Sequence, residues 1–322
     1  MLAFGIGLST KNAKGDVIET FYPSPKYKPN KDEWQQLATL CGYEGGNAVY
    51  EVPASEIPIA DLQKSLLPLT VCFIQEDSAP ATVADAFLRL HLISHRLIRP
   101  HGIKLDGIFG VLQNVAWTNA GPIDLTELND KMLHARMRGE QIIVHSVDKF
   151  PQMTNYVVPK GVRIADTARV RLGAYIGEGT TIMHEGFVNF NAGALGPNMI
   201  EGRISAGVTI GANSDLGGGC STMGTLSGGG SVVITVGENC LIGANAGTGI
   251  PLGDHCIVEA GLYITASTKV NKIDHTGNTS VVKARDLAGQ SHLLYRRNSI
   301  SGAVECLPTQ SGIELNAELH KN

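Results

Sequence analysis

The hydrophobic and polar positions upstream of residue 160 follow the periods of ordinary helices and strands. Apolar residues at helical spacing predict a helix over 83–98, which Pro100 ends. A second helical stripe begins at Leu125, with Asp124 as its N-cap. The short apolar run 142–144 predicts a strand. We therefore expect an α/β domain over residues 1–158.

Downstream, aliphatic side chains recur every six residues between 164 and 270. These positions are Ile164, Val170, Ile176, Ile182 and Val188, then Ile204, Ile210 and Leu216, then Val236 and Ile242, and finally Leu252, Val258, Ile264 and Val270. A period of six fits neither a helix nor a long alternation, but it fits a solenoid with one short strand and one corner per hexad. With three hexads per triangular coil, the segment predicts about six stacked coils whose aliphatic residues point inward.

Two other residue types keep the same period. Glycine often follows the aliphatic residue, and we expect it to supply corner dihedrals that are closed to other residues. A small residue usually lies four positions after the aliphatic one, where the narrow interior has little room. The small residues are Ala168, Ala174, Thr180, Ser214, Cys220, Cys240, Ala246, Cys256 and Thr268. The three cysteines in this slot are expected to fill the core, since a catalytic thiol needs an exposed, electropositive setting.

Composition narrows the class of protein. Of the 38 glycines, 23 lie in 161–270, so the composition changes near residue 160. The net charge of −4 argues against a general nucleic-acid binder. We find no apolar run long enough to span a membrane and no secretory signal at the start. Six cysteines without a CxxC pair predict reduced thiols in a cytoplasmic protein.

Some familiar chemical motifs are missing from the sequence. The glycine-rich run 226–231 is not a phosphate-binding P-loop, because no Gly-Lys-Ser/Thr follows it. No GxGxxG opens a predicted helix after a strand, so a dinucleotide fold has no support. His91, His95 and His101 lie around the first helix without carboxylate or cysteine partners at ligand spacing, which favours buried or surface histidines over a metal site.

The six-residue repeat resembles the hexapeptide-repeat acyltransferases, and longer motifs narrow the resemblance to the tetrahydrodipicolinate N-succinyltransferase family. The motifs in the second half are 183–193 (MHEGFVNFNAG), 200–207 (IEGRISAG), 214–219 (SDLGGG), 223–230 (MGTLSGGG), 258–263 (VEAGLY) and 296–299 (RRNS). Two upstream pieces, 90–97 (LHLISHRL) and 147–151 (VDKFP), agree with the same family. The resemblance therefore covers nearly the whole chain.

The resemblance implies a fold, an assembly and a reaction. The fold would be mainly β: a left-handed parallel β-helix over 159–272, after the α/β domain and before a short C-terminal extension, 273–322. Members are homotrimers with active sites between subunits. They transfer succinyl from succinyl-CoA to the amino group of ring-opened tetrahydrodipicolinate, a step toward diaminopimelate and lysine. These two small molecules would be the partners, with no nucleic acid, no membrane and no cofactor required for the chemistry.

The resemblance implies that Glu201 is the catalytic residue. Glu201 matches the family glutamate that is described as an acyl-anhydride nucleophile in some members. A carboxylate in that position can instead take the proton of an amine that attacks the thioester directly. The residues alone do not choose between these mechanisms, and an ion pair between Glu201 and Arg203 is a third, purely structural interpretation.

The resemblance also implies a succinyl-CoA site. Arg203 belongs to it, and a guanidinium suits bidentate recognition of a carboxylate. The other matching positions are Gly218, Ser221, Ala244, Glu259, Ala260, Lys283, Arg296, Arg297, Asn298 and Ser299. Without the resemblance, turn chemistry, coil packing and a solvated basic face would explain these positions. A basic cluster of Lys283 with the Arg296–Arg297 pair would suit CoA phosphates.

Some family members hold Mg²⁺ on the trimer axis through an aspartate and a glutamate. Glu185 matches the glutamate, but Ala168 stands where the aspartate would be. Since Mg²⁺ keeps several waters, one carboxylate per subunit could still form a threefold site, with Glu185 as the candidate ligand.

Three other functions stay open from the residues alone. A γ-type carbonic anhydrase needs three zinc-binding histidines, and the repeat contains only His184 and His255. A related acetyltransferase could use His184 as its catalytic residue. A non-enzymatic solenoid that binds other molecules would require neither Glu201 nor Arg203.

Overall fold

The structure, a computed structural model, describes residues 1–224 and 232–309. The chain forms two compact units, Met1–Val157 and Val158–Asn322, which divide one residue before the boundary expected from composition. The glycine-rich run 226–231 lies outside the described residues. The separate extension expected after residue 272 stays a prediction.

The first unit contains two antiparallel sheets and four α-helices. Its strands are β1 (Ala3–Lys11), β2 (Val17–Phe21), β3 (Lys26–Tyr27), β4 (Ala48–Val52), β5 (Leu69–Ile74), β6 (Val115–Thr118), β7 (Gly121–Asp124) and β8 (Val144–Asp148). Its helices are α1 (Lys31–Cys41), α2 (Val83–Ser94), α3 (Ile108–Val111) and α4 (Leu125–Met137). One sheet has the order β2-β1-β5-β4 with β3 beside β1, and the other has the order β7-β6-β8.

The predicted elements of this unit occur with shifted ends. Helix α2 starts after Thr82, whose hydroxyl accepts from the Asp85 amide at 3.2 Å, and ends at Ser94, four residues before the predicted end. The chain cannot continue the helix because Arg96 has a φ of 62°. Asp124 caps α4 as predicted, accepting from the Thr126 amide at 2.9 Å. The strand expected at 142–144 begins only at Val144.

His91 belongs to the core of the first unit. Its Nδ1 donates to the Phe87 carbonyl at 2.7 Å, so Nε2 is the acceptor for the Tyr22 amide at 3.2 Å. The ring is fully buried, and burial lowers the pKa of His91 to about 3. Both ring nitrogens therefore make hydrogen bonds to the backbone inside the core, as the non-metal interpretation of this histidine predicts.

The second unit is built from short strands. They are β9 (Arg163–Ile164), β10 (Tyr175–Ile176), β11 (Thr181–Ile182), β12 (Phe187–Val188), β13 (Gly193–Ala194), β14 (Met199–Ile200), β15 (Arg203–Ile204), β16 (Thr209–Ile210), β17 (Asp215–Leu216), β18 (Ser221–Thr222), β19 (Thr235–Val236), β20 (Leu241–Ile242), β21 (Gly247–Gly249), β22 (Ile257–Val258), β23 (Tyr263–Thr265), β24 (Lys269–Ile273), β25 (Thr279–Lys283), β26 (Leu293–Arg297) and β27 (Val304–Pro308).

These strands form three parallel faces. The pairings run β10-β13-β16-β19, then β12-β15-β18-β21-β23, and then β9-β11-β14-β17-β20-β22. From β10 to β21 a strand pairs with the strand three places later, so three strands make one coil, while β9–β11, β20–β22 and β21–β23 are two places apart. In the third face Ile182, Ile200, Leu216, Ile242 and Val258 lie in register, and all five are fully buried. The structure confirms the predicted parallel coil with stacked aliphatic residues.

The repeat is more continuous than the aliphatic pattern indicated. Ala194 and Ile200 carry the six-residue period past Val188, and the step from Ile200 to Ile204 is four residues long. Thr222 and Thr248 also occupy inward positions, in register with Ile264. Their hydroxyls donate to the Arg203 and Ile250 carbonyls at 3.1 and 2.7 Å. A hydroxyl satisfied by the backbone can replace an aliphatic group here.

The expected role of the glycines is wrong. The glycines that follow the aliphatic residues do not adopt positive φ. They are required because a Cβ would collide with the backbone of the next coil, as Gly211 shows against Gly237 and Gly243 against Ala260. The left-handed corner conformation is taken instead by asparagine, histidine and other glycines, for example at Asn239 and His255.

The ends of the coil depart from the repeat. Ala168, expected in the small inward slot, is exposed on a 3₁₀ turn of the first coil. At the other end β26 pairs in parallel with β22 and continues the third face, and β27 runs antiparallel beside it. The order β25-β24-β27-β26 extends the same sheet. Among the described residues, no helix is long and apolar enough to cross a membrane.

Candidate active site

The third face of the coil ends in a column of stacked corner residues. After each inward residue, the next amide donates to the following coil: Glu201 to the Leu216 carbonyl at 2.8 Å and Glu259 to the Tyr295 carbonyl at 2.9 Å. The column is Met183, Glu201, Gly217, Gly243, Glu259 and Arg296. At one strand spacing per coil, Glu201 and Arg296 are about 19 Å apart along the coil. We call this line of residues the corner column.

Most of the predicted site residues lie on or beside the corner column. Gly218, Ala244, Ala260 and Arg297 each follow directly after a member of the column. Arg203 and Ser221 begin the adjacent face, where they pair with each other in β15 and β18. Ala244, Ala260, Arg203 and both arginines of the 296–297 pair are exposed. The repeat thus brings residues almost 100 positions apart in sequence to one open edge.

Glu201 lies half-buried at this edge. A Cβ on Gly218 would stand 3.4 Å from Oε2 of Glu201 and 4.0 Å from Oε2 of Glu185. Gly218 therefore leaves open space beside two carboxylates. Within residues 1–224 and 232–309, the Glu201 carboxylate accepts no hydrogen bond and forms no ion pair, so the structure has no Glu201–Arg203 bridge. A carboxylate without a partner in the described residues is available to bind a ligand or accept a proton.

The wall behind Glu201 is tightly packed. A Cβ on Gly202 would overlap the sulfur of Cys220. Cys220, Cys240 and Cys256 are all buried, as the packing interpretation predicted. Burial raises the pKa of the Cys220 thiol to about 12, so this sulfur is not a nucleophile at neutral pH.

On the adjacent face, Arg203 and Ser221 share a row with an aromatic ring. Their row continues through Gly247 to Tyr263. A Cβ on Gly247 would overlap the Tyr263 ring, so that ring lies over the glycine. Tyr263 is 41% exposed, which adds an apolar surface to the same row, three strands along the face from Arg203.

The predicted site residues that follow the coil lie in two separate places. Arg296 and Arg297 end β26 on the corner column, and Asn298 and Ser299 follow in the connection to β27. Lys283 ends β25, three strands away across the same sheet, and its amide donates to Asp286 Oδ2 at 3.1 Å. Lys283 is thus about 14 Å from the arginine pair across the sheet, by strand spacing.

Two glutamates organise the arginine end of the column. Glu259 Oε2 accepts from the Arg297 amide at 2.6 Å. Glu305 Oε2 accepts from Arg296 Nε at 2.9 Å, and its Oε1 accepts from Asn298 Nδ2 at 2.8 Å. These donors lower the pKa of Glu305. Sequence reasoning missed Glu305, because only the antiparallel register of β26 and β27 sets it opposite Arg296.

The two histidines of the repeat, His184 and His255, lie at different corners of the coil. His184 is exposed beside the corner column, whereas His255 lies at another corner and stacks on His292 at 4.7 Å between ring centroids. In the part of the chain that the structure describes, no three His, Cys, Asp or Glu side chains form a group able to hold a metal ion.

Glu185, the predicted magnesium ligand, points toward Gly218 and the Glu201 side of the column. Its carbonyl and that of Gly186 accept from the Arg169 guanidinium, at 2.9 and 3.1 Å. Ala168 supplies no carboxylate at the neighbouring position. One carboxylate per chain does not by itself fit a metal site, and a shared site on a threefold axis stays a prediction.

A cavity in the second unit lies away from the predicted site residues. It has a volume of about 510 Å³ and is lined in part by Lys272, His275, His292 and Cys306. These residues surround the start of β26 and the end of β27, whereas Arg297 lies at the other end of β26. None of the predicted site residues lines this cavity.

Comparisons with known proteins agree over the full chain. A family described as "Hexapeptide repeat of succinyl-transferase" matches residues 233–266, and one described as "Tetrahydrodipicolinate N-succinyltransferase middle" matches residues 112–152. A relative from Pseudomonas putida, named 2,3,4,5-tetrahydropyridine-2,6-dicarboxylate N-succinyltransferase, is 59% identical over 99% of this chain and 97% of its own length. A relative of the same name from Vibrio cholerae is 54% identical over 99% of this chain and 98% of its own.

A solved structure shows the same architecture. It is a crystal structure from Campylobacter jejuni, named as a candidate 2,3,4,5-tetrahydropyridine-2-carboxylate N-succinyltransferase. The TM-score is 0.86 with 31% identity, over 97% of this chain and 93% of that one.

Proposed function

This chain belongs to the 2,3,4,5-tetrahydropyridine-2,6-dicarboxylate N-succinyltransferase family, and from that membership we propose that it transfers succinyl from succinyl-CoA to the amino group of ring-opened tetrahydrodipicolinate. The product would be N-succinyl-2-amino-6-oxopimelate, on the route to diaminopimelate and lysine. The observation that carries this proposal is the 59% identity over 99% of the chain. The exposed corner column supplies the carboxylate and the cations that the reaction needs.

Glu201 is the catalytic residue of the proposed reaction. The amine nitrogen attacks the thioester carbonyl, a C–N bond forms, and the C–S bond breaks as CoA leaves as a thiolate. Glu201 takes the proton that the attacking nitrogen loses and gives it to the leaving sulfur, so that CoA is released as its thiol and Glu201 returns to its carboxylate form. The half-buried carboxylate without an ion pair supports this role, since it has a free site for the proton. The absence of a side chain at Gly218 leaves the Glu201 carboxylate uncovered on that side, which also supports the role.

The anhydride mechanism makes a different prediction. If Glu201 attacked the thioester itself, the enzyme would release one equivalent of CoA before any acceptor arrived. Direct attack by the amine releases none. Mixing the enzyme with succinyl-CoA alone and measuring free thiol therefore separates the two mechanisms, and our proposal requires no burst.

The acyl donor would lie along the corner column. Arg203 would bind the succinyl carboxylate, and Gly218, Ser221, Ala244 and Ala260 would line the path of the pantetheine. Arg296 and Arg297, exposed at the far end, would meet the phosphates, with Glu259, Asn298 and Ser299 shaping that end. The order of these residues along one edge supports an extended donor whose thioester lies near Glu201.

The winding sense and the assembly are also part of the proposal. We take the coil to be left-handed and the protein to be a homotrimer with sites between subunits, as the hexapeptide-repeat family implies. The exposure of this edge among the described residues of one chain supports a second subunit there. Six free cysteines support a reducing compartment, the cytoplasm.

A thiol-release assay tests the proposed function. Purified protein with succinyl-CoA and tetrahydrodipicolinate should release CoA only when both are present, and mass spectrometry should find the succinylated amine. Acetyl-CoA should be a much poorer donor, because it lacks the carboxylate that Arg203 would bind. Equal or better use of acetyl-CoA would reject the succinyl assignment.

A further inference from the structure

Glu305 is a buried carboxylate whose contacts all point to the arginine end of the corner column. It lies on β27 opposite Arg296 on β26 and is 7% exposed. One oxygen accepts from Arg296 Nε at 2.9 Å and the other from Asn298 Nδ2 at 2.8 Å. A single side chain thus holds two residues of the proposed donor site.

The turn that carries these residues is held by its own polar groups. Asn298 Oδ1 accepts from the amides of Ile300 and Ser301, both at 3.0 Å. Arg297 Nη1 donates to the Gly302 carbonyl at 2.9 Å. The Asn298 side chain therefore links Glu305 to the turn, and its oxygen is already used within the protein. We call residues 297–302 the donor turn.

Glu305 leaves the outer part of the Arg296 guanidinium available. A guanidinium has five N–H donors, and Glu305 uses the one on Nε. The Arg296 side chain is 45% exposed, while that of Glu305 is only 10% exposed. The carboxylate thus anchors the guanidinium at Nε, and the terminal amino groups donate to no group among the described residues. This geometry suits a bidentate contact with a phosphate.

We propose that Glu305 is a positioning residue of the acyl-donor site, which fixes Arg296 and the donor turn so that they meet the phosphates of the CoA nucleotide. This inference rests on the proposed function. It also predicts the direction in which CoA affinity changes when the charge of Glu305 is removed, and this direction is opposite to the one expected from net charge alone. Removing a negative charge near a phosphate site should strengthen phosphate binding if only net charge matters. If orientation matters, the same change should weaken it.

The test is Glu305→Gln, which keeps the shape of the side chain and removes its charge. We expect the Kd of CoA, measured by calorimetry, to rise about tenfold, since a hydrogen bond to a charged group is lost. The matched control is Glu238→Gln, an exposed glutamate at another corner of the coil, which should leave the Kd unchanged. An unchanged or lower Kd for Glu305→Gln would overturn the proposal.

A donor without the nucleotide distinguishes positioning from general damage. With succinyl-pantetheine, Glu305→Gln and the unaltered protein should have the same kcat/KM, because the phosphates are absent. A loss that persists with this donor would show a merely structural role and contradict the inference. If the unaltered protein binds CoA with the predicted dependence on Glu305 but transfers no succinyl group, the proposed function fails and the positioning role stands.

A second variant covers the case in which Glu305→Gln lowers the melting temperature by more than a few degrees. Arg296→Lys changes an exposed side chain, keeps its positive charge and removes the Nε–H contact with Glu305. It should raise the Kd of CoA by a similar factor. Unchanged CoA binding in Arg296→Lys would refute the proposed geometry.

Discussion

At the scale of single residues, position in the coil decides what a side chain can do. Glu201 and Glu259 occupy equivalent corners, yet Glu259 accepts the Arg297 amide while Glu201 has open space at Gly218. The same corner therefore holds a carboxylate that is hydrogen-bonded within the protein in one coil, and in another coil a carboxylate without such a bond among the described residues. The family motif pointed to Glu201 from the sequence, whereas the surroundings of its carboxylate became visible only in the structure.

Glu201→Gln tests the role of this carboxylate. The amide cannot take a proton from the attacking amine, so turnover should fall about a hundredfold or more. Circular dichroism and oligomer size should not change, because the Glu201 side chain makes no bond that holds the fold in the described residues. A Glu201→Gln enzyme with near-normal kcat would remove Glu201 from the mechanism, and Glu238→Gln serves as the exposed control.

His91 gives the first unit a defined response to acid. Burial lowers its pKa to about 3 in the folded chain, whereas an unfolded histidine titrates near 6.5. Between these values the unfolded state binds one more proton. The free energy of unfolding should therefore fall as the pH drops below about 6.5, by at most about 1.4 kcal/mol per pH unit from this group.

Tryptophan fluorescence can follow that response, because Trp34 and Trp117 both lie in the first unit. Urea unfolding at several pH values between about 4 and 6 should show a shallower pH dependence for His91→Gln than for the unaltered protein. His134→Gln, at an exposed histidine, should keep the original slope. Equal slopes for all three proteins would contradict the buried neutral His91.

At the scale of elements, the six-residue period predicted the coil but not every inward residue. Ala194, Thr222 and Thr248 continue the stack and were missed because the pattern counted aliphatic side chains. Polar inward residues are possible because backbone carbonyls accept from their hydroxyls, one in the neighbouring coil for Thr222 and one two residues along the chain for Thr248.

Other features depended on contacts between coils, which spacing along the chain does not reveal. The glycines after the aliphatic residues were expected to supply unusual backbone dihedrals. They are required instead because the next coil leaves no space for a Cβ. Ala168 is exposed because the first coil has a 3₁₀ turn at Thr167–Arg169. Glu305 was missed for a related reason: its partners come from an antiparallel register that no motif encodes.

Stacking of the inward residues should dominate the stability of the coil. Ile242 is fully buried between Leu216 and Val258. Ile242→Ala should lower the free energy of unfolding by about 2–5 kcal/mol, through lost burial and a cavity that rigid neighbours cannot fill. Val281→Ala, at a side chain that is 68% exposed, should change it by less than about 0.5 kcal/mol. Far-UV circular dichroism during urea unfolding measures both, and similar values would contradict the stacked core.

At the scale of the whole molecule, the repeat converts distance along the chain into proximity. Residues from 201 to 297 meet at one edge because each coil returns the chain to the same corner. The structure places the coil residues and the arginine pair of the implied donor site along one edge, and it places Lys283 three strands away from that pair. That these residues bind one donor stays a prediction. The large cavity near His292 is separate from this edge.

The most direct test of the account is a crystal structure of the protein with CoA bound. We predict that the ligand runs along the corner column, with its sulfur near the Glu201 carboxylate and its phosphates against Arg296 and Arg297. CoA bound elsewhere, such as in the cavity lined by Lys272 and His275, with the corner column empty, would contradict the assignment of the site.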